Sequence, residues 1–265
     1  MVLILRSLIK NANSNRIGNK NMLDLWLEHI NSFADKIVLI DDNSTDGTFE
    51  KCRDYSDKII IKKSEYEDFY TQEQWMQKEV WDLVRANAKP GDWILALDSD
   101  EFLEEEFLRH KDGLMTCNSA SSYTFQFLHM WDLEKFRIDS FWGNIWGYRM
   151  VRYKDLPFKT KMVPGIHFGG MPQYAKSLKR DNLRIGLIHY GYHTLEMRKF
   201  KSEKYLKHST KGNKECAKTI LDKPLLVKLI DRTKLIDEIE IPLFLNSFDH
   251  ETFKIKQKEL GVKNE

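Results

Sequence analysis

The chain has 265 residues, of which 42% are hydrophobic and 12% aromatic, enough to bury a sizeable core and too many for a largely disordered chain. Its 42 Lys and Arg nearly cancel its 40 Asp and Glu, for a net charge of +2, which argues against a nucleic-acid binder working by bulk charge. Three cysteines (Cys52, Cys117 and Cys216) form no CxxC pair, so neither a zinc knuckle nor a disulfide framework is expected. No apolar run approaches the ~18–20 residues needed to cross a bilayer. The opening MVLILRSLIK lacks the basic start and small-residue cleavage site of a signal peptide. A cytoplasmic protein is expected.

Residues 2–5 are a short apolar run that predicts a first strand, and residues 10–21 a polar loop rich in Asn, Ser and Gly. Met22, Leu25, Trp26, Ile30 and Phe33 recur at helical spacing, predicting a helix over 22–33. The KIVLI run at 36–40 is continuously apolar and β-branched, as a buried strand should be, and it ends at Asp41-Asp42. Ser44-Thr45-Asp46 then supplies N-cap chemistry for a helix to about residue 54. A third strand is predicted at 58–62, followed by an amphipathic helix at 72–88 that Pro90-Gly91-Asp92 terminates. The strand at 93–97 closes, like the one at 36–40, on carboxylates: Asp98-Ser99-Asp100-Glu101. Such alternation predicts an α/β fold, a mostly parallel sheet with helices on both faces.

The second half is less regular. Residues 122–131 alternate Tyr123, Phe125 and Phe127 with Thr124 and Gln126, as a half-exposed strand should. Further strands are predicted at 147–153 and 184–189, either side of a loop rich in Gly and Pro at 156–171. From residue 195 the pattern is helical and basic. Residues 198–265 hold 16 basic and 11 acidic side chains, a net of +5, which leaves residues 1–197 at −3. The expected organisation is an α/β catalytic domain over 1–197 and a short basic helical extension over 198–265 packed on it.

Two carboxylate clusters thus close two apolar strands. In an open parallel sheet, ligands bind outside the carboxyl ends of the strands. Gathering carboxylates there is costly unless a cation neutralises them. Hard oxygen ligands in a DxD arrangement suit Mg²⁺ or Mn²⁺, which in turn bridge phosphates. A lone Asp-Asp pair has an equally good reading as a turn and helix cap, whereas two such clusters favour a site.

The run Ile40-Asp41-Asp42-Asn43-Ser44-Thr45-Asp46-Gly47-Thr48 resembles the DDxSTDGT signature of family 2 glycosyltransferases, and Leu97-Asp98-Ser99-Asp100-Glu101 resembles their DxD metal motif. Leu25-Trp26-Leu27-Glu28-His29 and Ile188-His189-Tyr190-Gly191-Tyr192 are similar to two further elements of one branch, so that the resemblance spans roughly residues 1–210. It implies a Rossmann-like GT-A fold and an inverting transfer of sugar from a UDP- or GDP-sugar to a glycan, lipid-linked or protein acceptor, in a setting such as polysaccharide biosynthesis. It also implies Mn²⁺ or Mg²⁺ as cofactor. Asp41 matches the residue that contacts the base, with Asp42 beside it; Asp98 matches the one near ribose and metal, and Asp100 the direct metal ligand. Arg6, at the edge of the first strand, is expected beside the nucleotide, and His189 or His193 is expected to complete the metal shell.

The catalytic base departs from the family pattern. In Pro164-Gly165-Ile166-His167-Phe168, Phe168 stands where relatives carry a Glu. His167, Asp132, Asp139 and Glu101 are the alternatives for taking the acceptor proton. Lys201 and Lys204, in a basic run, are candidates to close over the donor pyrophosphate, and the same run suits peripheral contact with anionic lipid at the inner face of a membrane. Trp131, Phe136, Phe141, Trp142 and Trp146 are the expected acceptor groove. Two other readings stay open. A nucleotidyltransferase would normally show a Gly-rich phosphate loop, but residues 10–21 contain only Gly18. A nucleotide-sugar-binding module without catalysis would explain Phe168.

Overall fold

The computed structural model describes residues 1–159, 162–166, 169–208, 214, 217–229 and 244–245, with the backbone alone at 140–141 and 244–245. The N-terminal half alternates as the sequence predicts: β1 (Leu3–Ile9), α1 (Met22–Phe33), β2 and β3 as a small hairpin before it (Arg16–Ile17 and Lys20–Asn21), β4 (Lys36–Asp41), α2 (Thr48–Tyr55), β5 (Ile59–Lys63), α3 (Phe69–Arg85) and β6 (Trp93–Ala96). The remainder of the chain supplies β7 (Glu101–Leu103), α4 (Glu106–Thr116), β8 (Ser122–His129), β9 (Lys135–Arg137), β10 (Trp146–Arg152), β11 (Arg180–His189), α5 (Leu195–His208), β12 (Leu226–Lys228) and β13 (Phe244–Leu245).

Nine of these strands form one sheet, in the order β13-β11-β8-β10-β6-β1-β4-β5, with β7 pairing the end of β11. Strands β5, β4, β1 and β6 are mutually parallel. Strand β10 runs against β6 and β8, which returns β8 and its parallel neighbour β11 to the common direction. The chain is therefore α/β with a mostly parallel sheet flanked by helices. The central strands are apolar without alternation because both faces are covered. Leu3, Leu5, Ile37 and Leu39 face a core with α1, while Ile4, Val38 and Ile94 face α3.

Several local expectations are revised. Helix α3 begins three residues earlier than the periodicity indicates, because Asp68 caps it by accepting the Tyr70 N–H at 3.0 Å. Strand β8 is not half-exposed: all eight residues are buried. Its polar alternates are satisfied inside the protein, Thr124 by the Asn182 side chain and Gln126 by the Gly143 carbonyl at 3.0 Å. Beyond α5, the described part of the basic extension contains a helical turn at 217–219 and joins the fold through two strands, β12 on β9 and β13 on β11. Helix α5 itself straddles the expected boundary at 197/198. Among the described residues, no helix is long and apolar enough to cross a membrane.

The aromatic cluster expected as an acceptor groove is largely core. Trp131 and Trp142 are buried with Tyr192, and Phe136 packs in a neighbouring cluster with Leu128. Arg137 stacks on both tryptophans, 4.7 and 5.2 Å from the rings, and is held by Asp139 through two 2.7 Å bonds. Asp139 is thereby a structural partner rather than a base.

Candidate active site

Parallel pairing sets Ile9 beside Asp41, so the chain leaves β1 and β4 at the same rim, with the exit of β6 adjacent. Beyond β4 the backbone is held by a chain of local hydrogen bonds. Asp41 Oδ2 accepts the Ser44 N–H at 2.9 Å, and Asp46 Oδ1 accepts the Thr48 N–H at 3.1 Å and its hydroxyl at 2.5 Å. Asn43 and Gly47 lie at φ 48° and 83°, the left-handed region that Asn tolerates and Gly enters freely. Ser44 Oγ and Asp46 Oδ2 also accept the N–H groups of Asn11 and Ser14, at 2.9 and 2.7 Å. The signature thus ties the loop after β1 to the rim, a tertiary duty beyond helix capping.

Asp41 and Asp42 are fully buried, yet each keeps one oxygen, Oδ1, without a hydrogen-bond partner among the described residues. Lys10 holds the other oxygen of Asp42 at 2.9 Å. Burial pushes the Asp42 carboxyl above the ordinary range, and the Lys10 bond only partly opposes that. Ser7 Oγ at the end of β1 is likewise buried and unpartnered. Unsatisfied polar atoms gathered at one rim are expensive in a folded protein unless a ligand completes them.

Arg6 is not a surface residue. It is buried, donates to the Gly170 carbonyl and to Gln77 Oε1, both at 2.5 Å, and leaves Nε unpartnered. Burial lowers its pKa to about 10, with Asp98 the strongest opposing charge. It therefore straps the loop before β11 to α3 while presenting positive charge beneath the rim.

The DxD segment splits its three carboxylates among three environments. Asp98 is exposed, 3.7 Å from Arg149. Glu101 is buried: it pairs with Arg149 and accepts the Asp98 N–H at 2.9 Å. Burial pushes the Glu101 carboxyl up to about 8, with Arg149 opposing the shift. An acid so enclosed fixes the turn and cannot reach an acceptor, which corrects its candidacy as base. Asp100 is partly exposed, with His189 Nε2 at 3.3 Å and Lys201 Nζ at 3.6 Å from its Oδ2. Burial would raise its pKa, but His189 and Lys201 outweigh that and hold it well below the carboxylate range. The pairing of β7 with β11 creates this contact, setting Glu101 opposite His189, and the Tyr190 N–H binds the Asp100 carbonyl at 2.9 Å. His29, from the α1 motif, pins β7 from the other side by accepting the Leu103 N–H at 3.0 Å.

The other expected residues fall elsewhere. His193 directs Nδ1 to the Tyr190 carbonyl at 2.6 Å and Nε2 to the Arg16 carbonyl at 3.0 Å, so neither nitrogen is left for a cation. Asp132 closes a turn, its Oδ1 accepting the Glu134 and Lys135 N–H groups at 2.8 and 2.7 Å. Lys204 stands over the rings of Tyr70 and Phe200 rather than beside Asp100. His167 and Phe168 lie outside the described residues. Arg149, Lys10 and His129, all part of the site's support, carry no sequence signal; Arg149 is brought to the DxD turn only by the pairing of β10 with β6.

Among the described residues, no group of three or more His, Cys, Asp or Glu side chains forms a cation cage. Asp100 Oδ2 and His189 Nε2 are nonetheless close enough for one ion to bridge both. Gly191 lets them converge with Lys201: a Cβ there would overlap His189 Nε2 and Lys201 Nζ, so a cation at this point would have to displace the lysine ammonium. This donor set fits a site in which substrate phosphates supply the remaining ligands, the usual manner of Mg²⁺ and Mn²⁺ sites.

No protein-family model matches the sequence, and no curated protein matches it. Among solved structures, S. aureus TarS aligns with a TM-score of 0.48 and 12% identity over 92% of this chain and 46% of that one. The chain thus spans less than half the length of that structure. TarS 1–349 in complex with UDP-GlcNAc aligns with a TM-score of 0.48 and 12% identity over 92% of this chain and 77% of that one. The complex of TarS 1–349 with UDP gives 0.47 and 12% over 83% and 70%.

Proposed function

We propose that the chain is a metal-dependent, inverting glycosyltransferase that takes sugar from a nucleotide-diphosphate donor. One observation carries the reading: buried, unsatisfied oxygens of Asp41 and Asp42 share a rim with an Asp100–His189 pair spaced to bridge one cation. In this reading the nucleoside completes Asp41, Asp42 and Ser7, while Asp100 and His189 hold Mn²⁺ or Mg²⁺, with Asp98 at the mouth. The bound ion would supply Lewis-acid stabilisation of the departing diphosphate. Lys201 adds a positive charge on the same side, and Arg6 one from beneath. The acceptor is a glycan or a lipid-linked sugar; exposed Leu195, Phe200 and Leu206 beside Lys199 and Lys207 on α5 suit peripheral contact with anionic lipid.

Thermal stabilisation by UDP and GDP with and without Mn²⁺, followed by turnover on a panel of nucleotide sugars, tests this. Equal shifts with and without chelator would overturn metal dependence, and release of pyrophosphate instead of nucleoside diphosphate would mark a nucleotidyltransferase. A second reading, a binding module without turnover, is favoured by the engagement of Asp132, Asp139 and Glu101 in structural bonds. Tight nucleotide-sugar binding with no transfer or hydrolysis would establish it.

A further inference from the structure

His129 ends β8 directly beside His189 in β11, because the two strands pair in parallel with these residues in register. Their rings meet through Nδ1 and Nδ1 at 2.8 Å. One hydrogen bond can form there, so one imidazole must donate and the other accept. Among the described residues, His129 Nε2 is buried and has no hydrogen-bond partner. The His129 ring is stacked on Phe127 at 5.2 Å and meets Trp142 and Tyr192 edge-on at 5.2 and 5.4 Å, so it cannot turn to offer another atom.

The two tautomers have opposite consequences at the cleft. If His129 donates, His189 carries its proton on Nε2, aimed at Asp100, and cannot ligate a cation through that atom. If His129 accepts, His189 is protonated on Nδ1, and the Nε2 lone pair faces Asp100 Oδ2 and the movable ammonium of Lys201 across Gly191, where a cation would take the place of the lysine. His129 then carries its own proton on Nε2, enclosed by aromatic rings that are weak acceptors. Metal-bound histidines generally donate their second N–H to a neighbouring acceptor that fixes both tautomer and orientation.

We propose that His129 is a positioning residue: it accepts the Nδ1 proton of His189 and so frees His189 Nε2 to bind a divalent cation together with Asp100. The role rests on the proposed cation site and assigns His129 no contact with substrate.

Calorimetric titration of Mn²⁺, alone and with UDP, into the wild-type chain and two variants tests it. His129→Asn keeps an acceptor oxygen where Nδ1 stood and should bind Mn²⁺ within about threefold of wild type, whereas His129→Phe fills the space without an acceptor and should bind ~10–100-fold more weakly. Long-range ¹H–¹⁵N spectra of the wild type with Zn²⁺ as a diamagnetic probe give a readout that does not depend on the variants folding. They should show His189 protonated on Nδ1 and His129 on Nε2. A Phe variant that binds like wild type, or a His129 protonated on Nδ1 in the loaded protein, overturns the role of His129 alone. No Mn²⁺ binding by the wild type overturns the cation reading, and the role of His129 with it.

Discussion

Gly191 offers the sharpest perturbation of the site. It is buried in the turn after β11, and its backbone lies outside the left-handed region, so alanine meets no conformational strain there. Its methyl group, however, would overlap Lys201 Nζ and His189 Nε2 and stand 2.8 Å from Asp100 Oδ2, inside the 3.0 Å that real Cβ atoms respect. Lysine and histidine must each retreat by at least ~0.7 Å to relieve this overlap. Lys201 can move the end of its flexible side chain, giving up its contacts with Asp100 and the Tyr192 ring. His189 cannot, because the rings of His129 and Tyr192 lie 4.9 and 5.3 Å from its own. Overpacking of this kind costs about 1–3 kcal/mol, and escape of the lysine keeps the expected value near the lower half of that range. At ~2–4 °C per kcal/mol for a chain of this size, the unfolding midpoint should fall by roughly 2–8 °C. The effect on ligand should be larger, since displacement of one donor by a fraction of an ångström spoils a bridged cation; Mn²⁺-dependent UDP affinity should drop by at least ~10-fold. Differential scanning fluorimetry and titration calorimetry on Gly191→Ala read both quantities. A variant with wild-type midpoint and wild-type affinity would refute the convergence of Asp100, His189 and Lys201 on this space.

Three further outcomes are expected. Asp41→Asn retains an oxygen for the Ser44 N–H and should keep the wild-type midpoint while losing nucleotide affinity; Asp41→Ala should lose both, and an Asn variant with unchanged affinity returns Asp41 to a purely capping role. Asp100→Asn should lower the midpoint at neutral pH, because a carboxyl held below its normal range contributes stability above about pH 3.8, while metal-dependent nucleotide binding collapses; a more stable variant would mean that repulsion with Asp98 and Glu101 outweighs the pairing with Lys201 and His189. His29 has its pKa lowered by burial from 6.5 to about 4, so the unfolded chain binds the extra proton in that window, and stability present above pH 6.5 declines as pH falls toward 4. The loss attributable to this group is about 3 kcal/mol. His29→Gln, which keeps an acceptor for the Leu103 N–H, should flatten that limb of the urea-denaturation curve against pH, and an unchanged limb counts against the assignment.

Local pattern was sufficient for much of the N-terminal half. The helical spacing of Met22 to Phe33 and the unbroken apolar runs of β4 and β6 follow from burial on one helix face and on two sheet faces, and both conditions are written in consecutive residues. The helix after β4 was legible from Ser44-Thr45-Asp46, although the N-cap itself is Gly47 at φ 83° and Asp46 acts one residue earlier, by accepting the Thr48 N–H. The burial of β8 was not legible. Thr124 and Gln126 look like a solvent face until Asn182 and Gly143, distant in sequence, arrive as hydrogen-bond partners. The same limit governs the site. Sequence could name Asp100 and two late histidines as candidates, but choosing between them depended on which carbonyls surround each ring. His193 is enclosed by the carbonyls of Tyr190 and Arg16, whereas His189 is carried to Asp100 by the pairing of β11 with β7. Glu101 and Asp98 are three residues apart, yet one is sealed against Arg149 and the other open to solvent, a division made by the β10 strand that delivers the arginine. Residue type and spacing determined which groups could do chemistry at this rim; long-range strand pairing decided which of them remain free to do it, because a hydrogen bond or ion pair taken up in folding is no longer available to a ligand.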